Sequence, residues 1–452
     1  MEGGQAMNDN PIIQKALRRF WDSELTEELP ESLPLVEEFC KNRLASETFA
    51  SIDVLFIQHH LGPFIPRLRA MLNHGLEVSR CWFVDIPYST NKRVYEELGK
   101  MGFPGNQRCK PFDDPIAPYS RRQLERVAYL IRLLANQANK RRLLVVDDGA
   151  YFIRTLSHLL SRDRELVMSF KERGTYVVEQ TTRGHRYLEK KEGEEMLKSL
   201  NVPTVSIART YTKYGLESPF IGAAVSRGVV RALRKSGRSG NGLGRVLVIG
   251  FGPVGQATTE QLLELKPEKP IHVYDKKWKR LQKEIEKTGA HALQGFPEEG
   301  SYNCVLGCTG YASFPIKKIG ILANNAVLVS GSSAAVEFNR EKFIDLAYKN
   351  DKDDFYVVEP EKTRQAGIHA TIDMQKGNRR FSFLAAGFPV NFDGRLECLP
   401  HLIIQITHGL LLAASQETLF KEPGLHKLNY DDDNWFYKWG LHWIERYSAQ
   451  AS

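Results

Sequence analysis

The sequence predicts an α/β protein with two domains that have mostly parallel sheets, followed by a C-terminal tail. Two observations lead to this prediction. Apolar strand-like runs alternate with helical stretches through most of the 452 residues, and such alternation is typical of right-handed crossovers between parallel strands. A glycine-rich turn also stands between the apolar run VLVI and a helical segment, as in the first βα unit of a dinucleotide-binding domain.

The glycine-rich turn reads GFGPVG and places Gly250, Gly252 and Gly255 in G-x-G-x-x-G spacing. The first glycine permits a tight turn, the second lets the backbone approach a pyrophosphate, and the third lets helix and strand pack closely. Pro253 and Val254 lie where the helix opens, and the amides of a helix start bind phosphate. An ordinary glycine turn in an α/β unit is the alternative interpretation.

A second strand, IHVYD, follows the glycine turn and ends in Asp275. A carboxylate at this place accepts the ribose hydroxyls of NAD and repels the 2′-phosphate of NADP. Lys276 and Lys277 come next and work against that preference. The order of strand, glycines, helix and acid favours a Rossmann domain with NAD as the cofactor.

Composition excludes several classes of protein. The chain has no apolar run of membrane-spanning length, and its start lacks the pattern of a signal peptide. Its six cysteines are scattered, which favours a reducing cytoplasm and no metal site. The net charge of +8 is densest over residues 231–245, where no aromatic residues are interleaved. A solvated linker is therefore favoured there over a nucleic-acid contact.

The alternation also predicts the domain boundaries. The run RELVMSF at residues 164–170 is interpreted as one of the strands. Five segments follow from the pattern: an N-terminal helical segment (1–48), the first part of a substrate-type domain (49–218), the Rossmann domain (219–350), a return to the substrate domain (351–419) and an aromatic tail (420–452).

The tail concentrates five aromatic residues, Trp435, Phe436, Tyr437, Trp439 and Trp443. A free terminus would not expose so much apolar area to water. We expect the tail to contact a neighbouring subunit of a dimer or tetramer. The alternative is that the tail folds back on its own subunit.

Four segments, in order, resemble the S-adenosylhomocysteine hydrolase family. They are VVDDGA, VVEQTTRGHRYL, YGLESPFIGAAVSRG, and the pair VLGCTGYASF and VLVSGSSAAVEF. The resemblance implies a substrate domain, an inserted NAD domain and a tail that reaches another subunit. It also implies NAD that stays bound while it oxidises the 3′-hydroxyl of a nucleoside, before homocysteine is eliminated, water adds and the ketone is reduced.

The resemblance assigns roles to individual residues. His59 matches the family's catalytic histidine and Asp148 its catalytic aspartate. Four further residues match positions that contact NAD, the last two at the nicotinamide side: Thr181, Thr182, Thr309 and Gly310. Without the resemblance, His59 could be a buried histidine with satisfied hydrogen bonds, and Asp148 could cap the next helix.

Six positions depart from the family pattern. The glutamate that holds the ribose is Gln180, the third threonine is Arg183, and an ungapped alignment puts Ile207 and Tyr211 at the catalytic lysine and aspartate. Two family histidines are replaced by Ser332 and Phe388. Oxidation by NAD needs a group that takes the hydroxyl proton, and isoleucine cannot do so. Lys213 or Tyr211 could replace the lysine if the loop were threaded differently.

Two hypotheses follow. The first is a divergent enzyme that uses NAD for hydride transfer on a nucleoside-like or other small polar substrate, contacted by Gln180, Arg183 and Asn391. Asn391 could equally be a turn residue. The second is a non-catalytic NAD-binding regulatory or assembly protein on the same scaffold. Ordinary hydrolysis of S-adenosylhomocysteine is not expected from either.

Overall fold

The chain forms two compact units in a computed structural model that describes residues 10–235, 243–349 and 355–450. The first unit combines residues 1–111, 120–217 and 395–452, and the second combines residues 112–119 and 218–394. Each unit holds a mostly parallel sheet, which confirms the predicted fold class. No helix in the described ranges is both long and apolar enough to span a membrane.

The first unit has a six-stranded, entirely parallel sheet, in the order β14-β5-β4-β3-β1-β2. Its strands are β1 (Ile52–Gln58), β2 (Cys81–Asp85), β3 (Arg142–Asp147), β4 (Thr175–Glu179), β5 (Pro203–Ser206) and β14 (Gly424–Lys427). The order of the first five strands reverses between β1 and β3. In such sheets the ligand crevice lies outside the carboxyl ends of the strands at the point of reversal.

Helices cover both faces of this sheet, as parallel crossovers require. They are α1 (Pro11–Asp22), α2 (Pro34–Asn42), α3 (Phe64–Leu72), α4 (Lys92–Lys100), α5 (Tyr119–Ala135), α6 (Tyr151–Leu160), α7 (Arg164–Arg173), α8 (Thr182–Leu188), α9 (Lys191–Ser199), α15 (His401–Thr418) and α16 (Tyr430–Ala449).

The segment RELVMSF forms helix α7, so the predicted strand at 164–170 is wrong. The side chain of Asp163 caps the helix by accepting a hydrogen bond from the amide of Leu166 at 3.1 Å. Val167 and Phe170 are buried, one turn apart on a single face. A short apolar run fits helix and strand alike, and here the N-cap favours the helix.

The second unit has an eight-stranded sheet in the order β11-β12-β13-β10-β9-β6-β7-β8. Its strands are β6 (Val246–Ile249), β7 (Ile271–Tyr274), β8 (His291–Ala292), β9 (Tyr302–Gly307), β10 (Leu322–Ser330), β11 (Phe355–Val357), β12 (Ile372–Lys376) and β13 (Arg379–Phe383). Six neighbouring strands of this sheet run parallel, in the spatial order β8-β7-β6-β9-β10-β13. This is the Rossmann order 3-2-1-4-5-6. Strands β12 and β11 extend the sheet in antiparallel pairs.

The helices of the second unit are α10 (Ser218–Lys235), α11 (Pro253–Glu264), α12 (Trp278–Lys287), α13 (Arg340–Lys349) and α14 (Pro360–Gln365). Of the basic run at 231–245, residues 236–242 lie outside the described ranges. The interpretation of that run as a linker therefore stays a prediction.

The return to the first unit begins at Arg395 rather than at residue 351. Strand β13 pairs with β10 and so completes the Rossmann sheet, and an isolated bridge joins Ser330 to Pro389. The apolar segment FSFLAAGFPVNF therefore belongs to the core of the second unit. The sequence pattern did not show this because strand pairing across 50 residues leaves no local signal.

The tail packs on its own unit, and the expected contact of its aromatic residues with a neighbouring subunit stays a prediction. Helix α16 packs against α15, α1 and α2, and the ring of Phe436 lies 5.0 Å from that of Phe39. Gly409 provides the space, since a Cβ there would lie 2.3 Å from the Phe436 ring. Association into a dimer or tetramer stays a prediction without support from the tail.

Replacing Phe436 by alanine tests this packing. Phe436 is fully buried, so Phe436→Ala should lower the free energy of unfolding of the first unit by about 3–5 kcal/mol. Trp439 on the same helix is 37% exposed, and Trp439→Ala should cost far less. Denaturant titration of both variants measures the difference, and equal losses would contradict the described packing.

Candidate functional site

The first unit brings His59 and Asp148 together at the carboxyl ends of β1 and β3. Each residue directly follows its strand, at the point where the strand order reverses. The Nε2 atom of His59 lies 3.4 Å from Oδ2 of Asp148, and both residues are largely buried. The two residues predicted as catalytic therefore form one pair.

The hydrogen bonds of Ser89 define the tautomer of His59. The Ser89 hydroxyl donates to the carbonyl oxygen of Ile86 at 2.8 Å, and its oxygen lies 2.6 Å from Nδ1 of His59. Because the hydroxyl has one proton, Nδ1 must be the donor to Ser89. In the neutral ring the lone pair of Nε2 then faces Asp148.

Burial favours the uncharged form of both residues in this pair. Burial raises the pKa of Asp148 to about 7, although the charges of Lys213 and Arg183 lower it. Burial also lowers the pKa of His59 to about 3, with the charge of Lys213 acting in the same direction. At neutral pH the ring of His59 is therefore uncharged, and the carboxyl of Asp148, with its pKa of about 7, is the group of the pair that can exchange a proton with a substrate.

Lys213 lies at this cluster, at the start of a single π-helical turn, Lys213–Glu217. Its Nζ is 3.3 Å from Oε2 of Glu217, which also accepts a hydrogen bond from Thr407 at 2.6 Å. Ile207 is fully buried, and Tyr211 is 61% exposed with its ring beside another tyrosine. The structure thus brings Lys213, and neither residue of the ungapped alignment, to the cluster. A π-helical turn is frequent at functional sites.

Two of the predicted substrate contacts lie at these strand ends. Gln180 follows β4 and accepts a hydrogen bond from Nε2 of Gln58 at 2.9 Å. Arg183 donates to the hydroxyl of Tyr151 at 3.1 Å, and its charge acts on Asp148. Asn391 belongs to the second unit and is nearly buried, and its contact with a substrate stays a prediction.

Glu179 organises the loop that carries Thr181 and Thr182. Its buried carboxylate accepts hydrogen bonds from the amides of Gly149, Ala150 and Thr181 and from the Thr181 hydroxyl, at 2.6–3.1 Å. Thr181 also caps α8, and Thr182 is exposed in its first turn. These contacts show turn roles, and contact of the two threonines with NAD stays a prediction. Sequence reasoning missed Glu179.

The dinucleotide loop of the second unit lies between β6 and α11. Gly250 has φ +98°, and a Cβ on Gly255 would lie 2.1 Å from the Gly250 oxygen, so the protein itself requires both glycines. A Cβ on Gly252 would meet nothing within 4 Å, and its φ is an ordinary −78°. No side chain caps the start of α11 at Pro253 and Val254. The open space over Gly252 fits the close approach of a pyrophosphate that the fingerprint implies.

Asp275 follows β7, where the dinucleotide fingerprint requires an acid. Its Oδ2 accepts a hydrogen bond from the amide of Phe251 at 2.9 Å, and its Oδ1 accepts one from the amide of Lys277 at 2.8 Å. Each carboxylate oxygen has a second lone pair for a ribose hydroxyl. The Nζ of Lys276 lies 5.7 Å from the centre of the Tyr311 ring.

Thr309 and Gly310 are held by Glu337, another residue that sequence reasoning missed. Both amides donate to its Oε1 at 2.6 Å, and the Thr309 hydroxyl donates to Oε2 at 2.8 Å. Ser332, at the position of a family histidine, also donates to this buried carboxylate. These bonds hold the turn after β9, and a nicotinamide contact stays a prediction.

Phe388, at the other replaced histidine, is a core residue of the second unit. Its buried ring lies 5.1 Å from the ring of Tyr119 and 4.6 Å from the guanidinium of Arg340. In the described ranges, no group of three or more histidine, cysteine or acidic residues could hold a metal ion.

No family model matches the chain. Uncharacterized protein MT0113 of Mycobacterium tuberculosis strain CDC 1551 and Uncharacterized protein Rv0104 of strain H37Rv are each 23% identical to it over 390 residues, which cover 85% of this chain and 67% of the relative. The structure of NAD-dependent formate dehydrogenase from Staphylococcus aureus in complex with NAD aligns with TM-score 0.34 and 9% identity, over 64% of this chain and 79% of that one. The pyruvate reductase of Chlamydomonas reinhardtii aligns with TM-score 0.38 and 10% identity, over 82% and 98%.

The open space at Gly252 leads to a test of the loop. Gly252→Ala should leave the free energy of unfolding nearly unchanged but weaken NAD binding roughly tenfold or more, because the new methyl group takes the space of the pyrophosphate. Gly320→Ala adds the same methyl group at another open glycine of this unit and should change neither quantity. Calorimetric titration with NAD decides, and equal affinities for both variants would refute the assignment.

The raised pKa of Asp148 leads to a test by pH. Between its ordinary value near 4 and about 7, the unfolded chain releases a proton that the folded chain keeps, so stability falls as pH rises through that window. Asp148→Asn should make this decline shallower, leaving the share of Glu179, whose pKa is also raised to about 7, and Asp431→Asn, at an exposed aspartate, should leave the decline unchanged. Urea titrations from pH 4 to 8 measure the effect. A decline unchanged in Asp148→Asn would contradict the assignment.

Proposed function

We propose that this protein is a divergent, adenosylhomocysteinase-like enzyme that binds NAD and uses it for hydride transfer on a nucleoside-like or other small polar substrate. The observation that supports this most is Gly252, which the protein itself does not require but a pyrophosphate does. The His59–Asp148 pair, with Lys213 beside it, supports catalysis over binding alone. A cytoplasmic location stays part of the proposal.

The second unit has the groups that fit the cofactor. The amides that open α11 and the space over Gly252 suit a pyrophosphate, and the carboxylate of Asp275 suits the hydroxyls of the adenosine ribose. NAD supplies a hydride acceptor when it is bound.

The first unit has the groups that fit proton transfer. Asp148, with a pKa of about 7, takes or gives the proton of a substrate, while His59 contacts its Oδ2 and Ser89 holds the ring in place. The ammonium of Lys213 stabilises negative charge at the strand ends and is itself held by Glu217. A substrate hydroxyl that loses its proton needs groups of this kind.

The same residues argue against ordinary hydrolysis of S-adenosylhomocysteine. Ile207 is buried and has no group that titrates, and the exposed Tyr211 lies away from the cluster. The amide of Gln180 has no charge with which to hold a ribose, and Phe388 is committed to core packing. The lost groups also favour the second candidate, a non-catalytic NAD-binding regulatory or assembly protein.

The choice of cofactor tests the first half of the proposal. We expect NAD to bind roughly tenfold or more tightly than NADP, because the Asp275 carboxylate repels the 2′-phosphate. Asp275→Ala should reduce this preference, while Glu264→Ala, an equal loss of charge on an exposed residue near the end of α11, should retain it. Calorimetry with both cofactors measures the ratio. Equal affinities in the unmodified protein would contradict the proposal.

Turnover tests the second half. We expect no release of homocysteine from S-adenosylhomocysteine with NAD present, because the family's lysine is replaced by buried Ile207. Release at roughly one per second or faster would show ordinary family activity and contradict the proposal. Reduction of NAD by any small alcohol, lost in Lys213→Met, would favour the enzyme over the non-catalytic candidate.

A further inference from the structure

A buried guanidinium lies beneath the strand ends of the first unit. Arg67 of α3 is 1% exposed, and its Nη2 donates a hydrogen bond to Oε1 of Gln58. Its Nε and Nη1 have no hydrogen-bond partner among the described residues. The guanidinium carbon lies 5.1 Å from the ring centre of Phe64 and 5.9 Å from that of Phe56. Buried arginines are ordinarily paired with an anion, and in the described ranges no side-chain carboxylate forms an ion pair with this one.

This guanidinium dictates the direction of a chain of hydrogen bonds. A guanidinium only donates, so Gln58 must turn its carbonyl oxygen toward Arg67. The NH₂ group of Gln58 then donates to Oε1 of Gln180 at 2.9 Å. The NH₂ group of Gln180 is consequently directed away from Gln58, and Gln180 is half-buried at the end of β4.

A lysine and a buried histidine belong to the same surroundings. The Nζ of Lys213 lies 3.4 Å from the backbone oxygen of Gln180. Nδ1 of His408 is buried without a hydrogen-bond partner in the described part of the chain, and the charges of Arg67 and Lys213 both act on this histidine. Of the nearby acids, Glu217 already receives Lys213 and Thr407. Beyond Lys213, which Glu217 pairs, Arg67 keeps two donor groups, Nε and Nη1, that no described residue uses.

We propose that the strand ends of the first unit bind an anionic group, a carboxylate or a phosphoryl group, through the amide of Gln180 and the ammonium of Lys213, with Arg67 and Gln58 fixing the direction of that amide. In the family that the sequence resembles, a glutamate in the place of Gln180 accepts hydroxyl groups. In this protein the NH₂ group of Gln180 donates a hydrogen bond instead, so the group that it binds is a hydrogen-bond acceptor. If the proposed function holds, on which this step rests, the substrate is an acidic small molecule.

Gln58→Glu tests the direction of the chain without changing a group that meets the anion. The introduced carboxylate pairs with Arg67 and accepts the NH₂ group of Gln180, which turns the carbonyl oxygen of Gln180 toward the ligand. Since the variant adds an ion partner to a buried charge, its midpoint of thermal unfolding should stay equal or rise. A merely structural role of Gln58 would predict a lower midpoint instead.

The binding experiment uses full-length protein without NAD, titrated with inorganic phosphate and separately with acetate at constant ionic strength. We expect saturable binding of at least one of the two anions. Gln58→Glu and Gln180→Glu should each weaken it roughly tenfold or more. Gln14→Glu, the same change on half-buried α1, should not. No saturable binding, or equal affinity in all four proteins, would overturn the proposal.

Failure of this inference can be distinguished from failure of the proposed function, because anion binding and NAD binding are measured separately. Anion binding that depends on Gln58 and Gln180, in a protein that does not bind NAD, would support this inference and refute the enzyme. NAD binding that depends on Gly252, in a protein indifferent to both anions, would refute this inference and leave the cofactor assignment standing.

Discussion

Buried carboxylates that accept backbone amides hold together the turns at the carboxyl ends of the strands in both units. Glu179 ties the turn after β3 to the loop after β4, and Asp147 accepts the first two amides of α6. In the second unit, Glu337 holds the turn after β9, and Asp275 holds an amide of the glycine loop. Amides left unpaired in such turns would be costly, so the geometry of every candidate site depends on these bonds.

This arrangement separates the groups that hold the structure from those left for chemistry. Two consecutive aspartates stand at the end of β3. Asp147, the last residue of the strand, accepts the first two amides of α6, while Asp148 faces His59. Burial raises the pKa of Glu179 and of Asp148 to about 7 in both cases. Hydrogen bonds from three amides make Glu179 a structural group, and a raised pKa alone does not distinguish it from a catalytic one.

The two units differ in the groups that supply hydrogen-bond donors at their candidate sites. The start of α11 is uncapped, and its amides fit the anionic part of a dinucleotide. At the strand ends of the first unit, the donors belong to side chains, and the orientation of Gln180 follows from that of Gln58. The amide of Gln180 has one direction in which to donate, because Arg67 fixes the orientation of Gln58.

Local sequence was enough to predict the alternating α/β fold, the glycine loop and Asp275, while the pairing of His59 with Asp148 was predicted from the family resemblance. Each depends on neighbours along the chain or on the rule that parallel strands end at one edge. Only the tertiary structure decided that RELVMSF is a helix, that the return begins at Arg395 and that the tail packs on its own unit. It also brought the charge of Lys213 to the His59–Asp148 pair. The hydrogen bond from Gln58 to Gln180 spans 122 residues. The direction of a polar group depends on partners distant in sequence, and no local pattern contains that information.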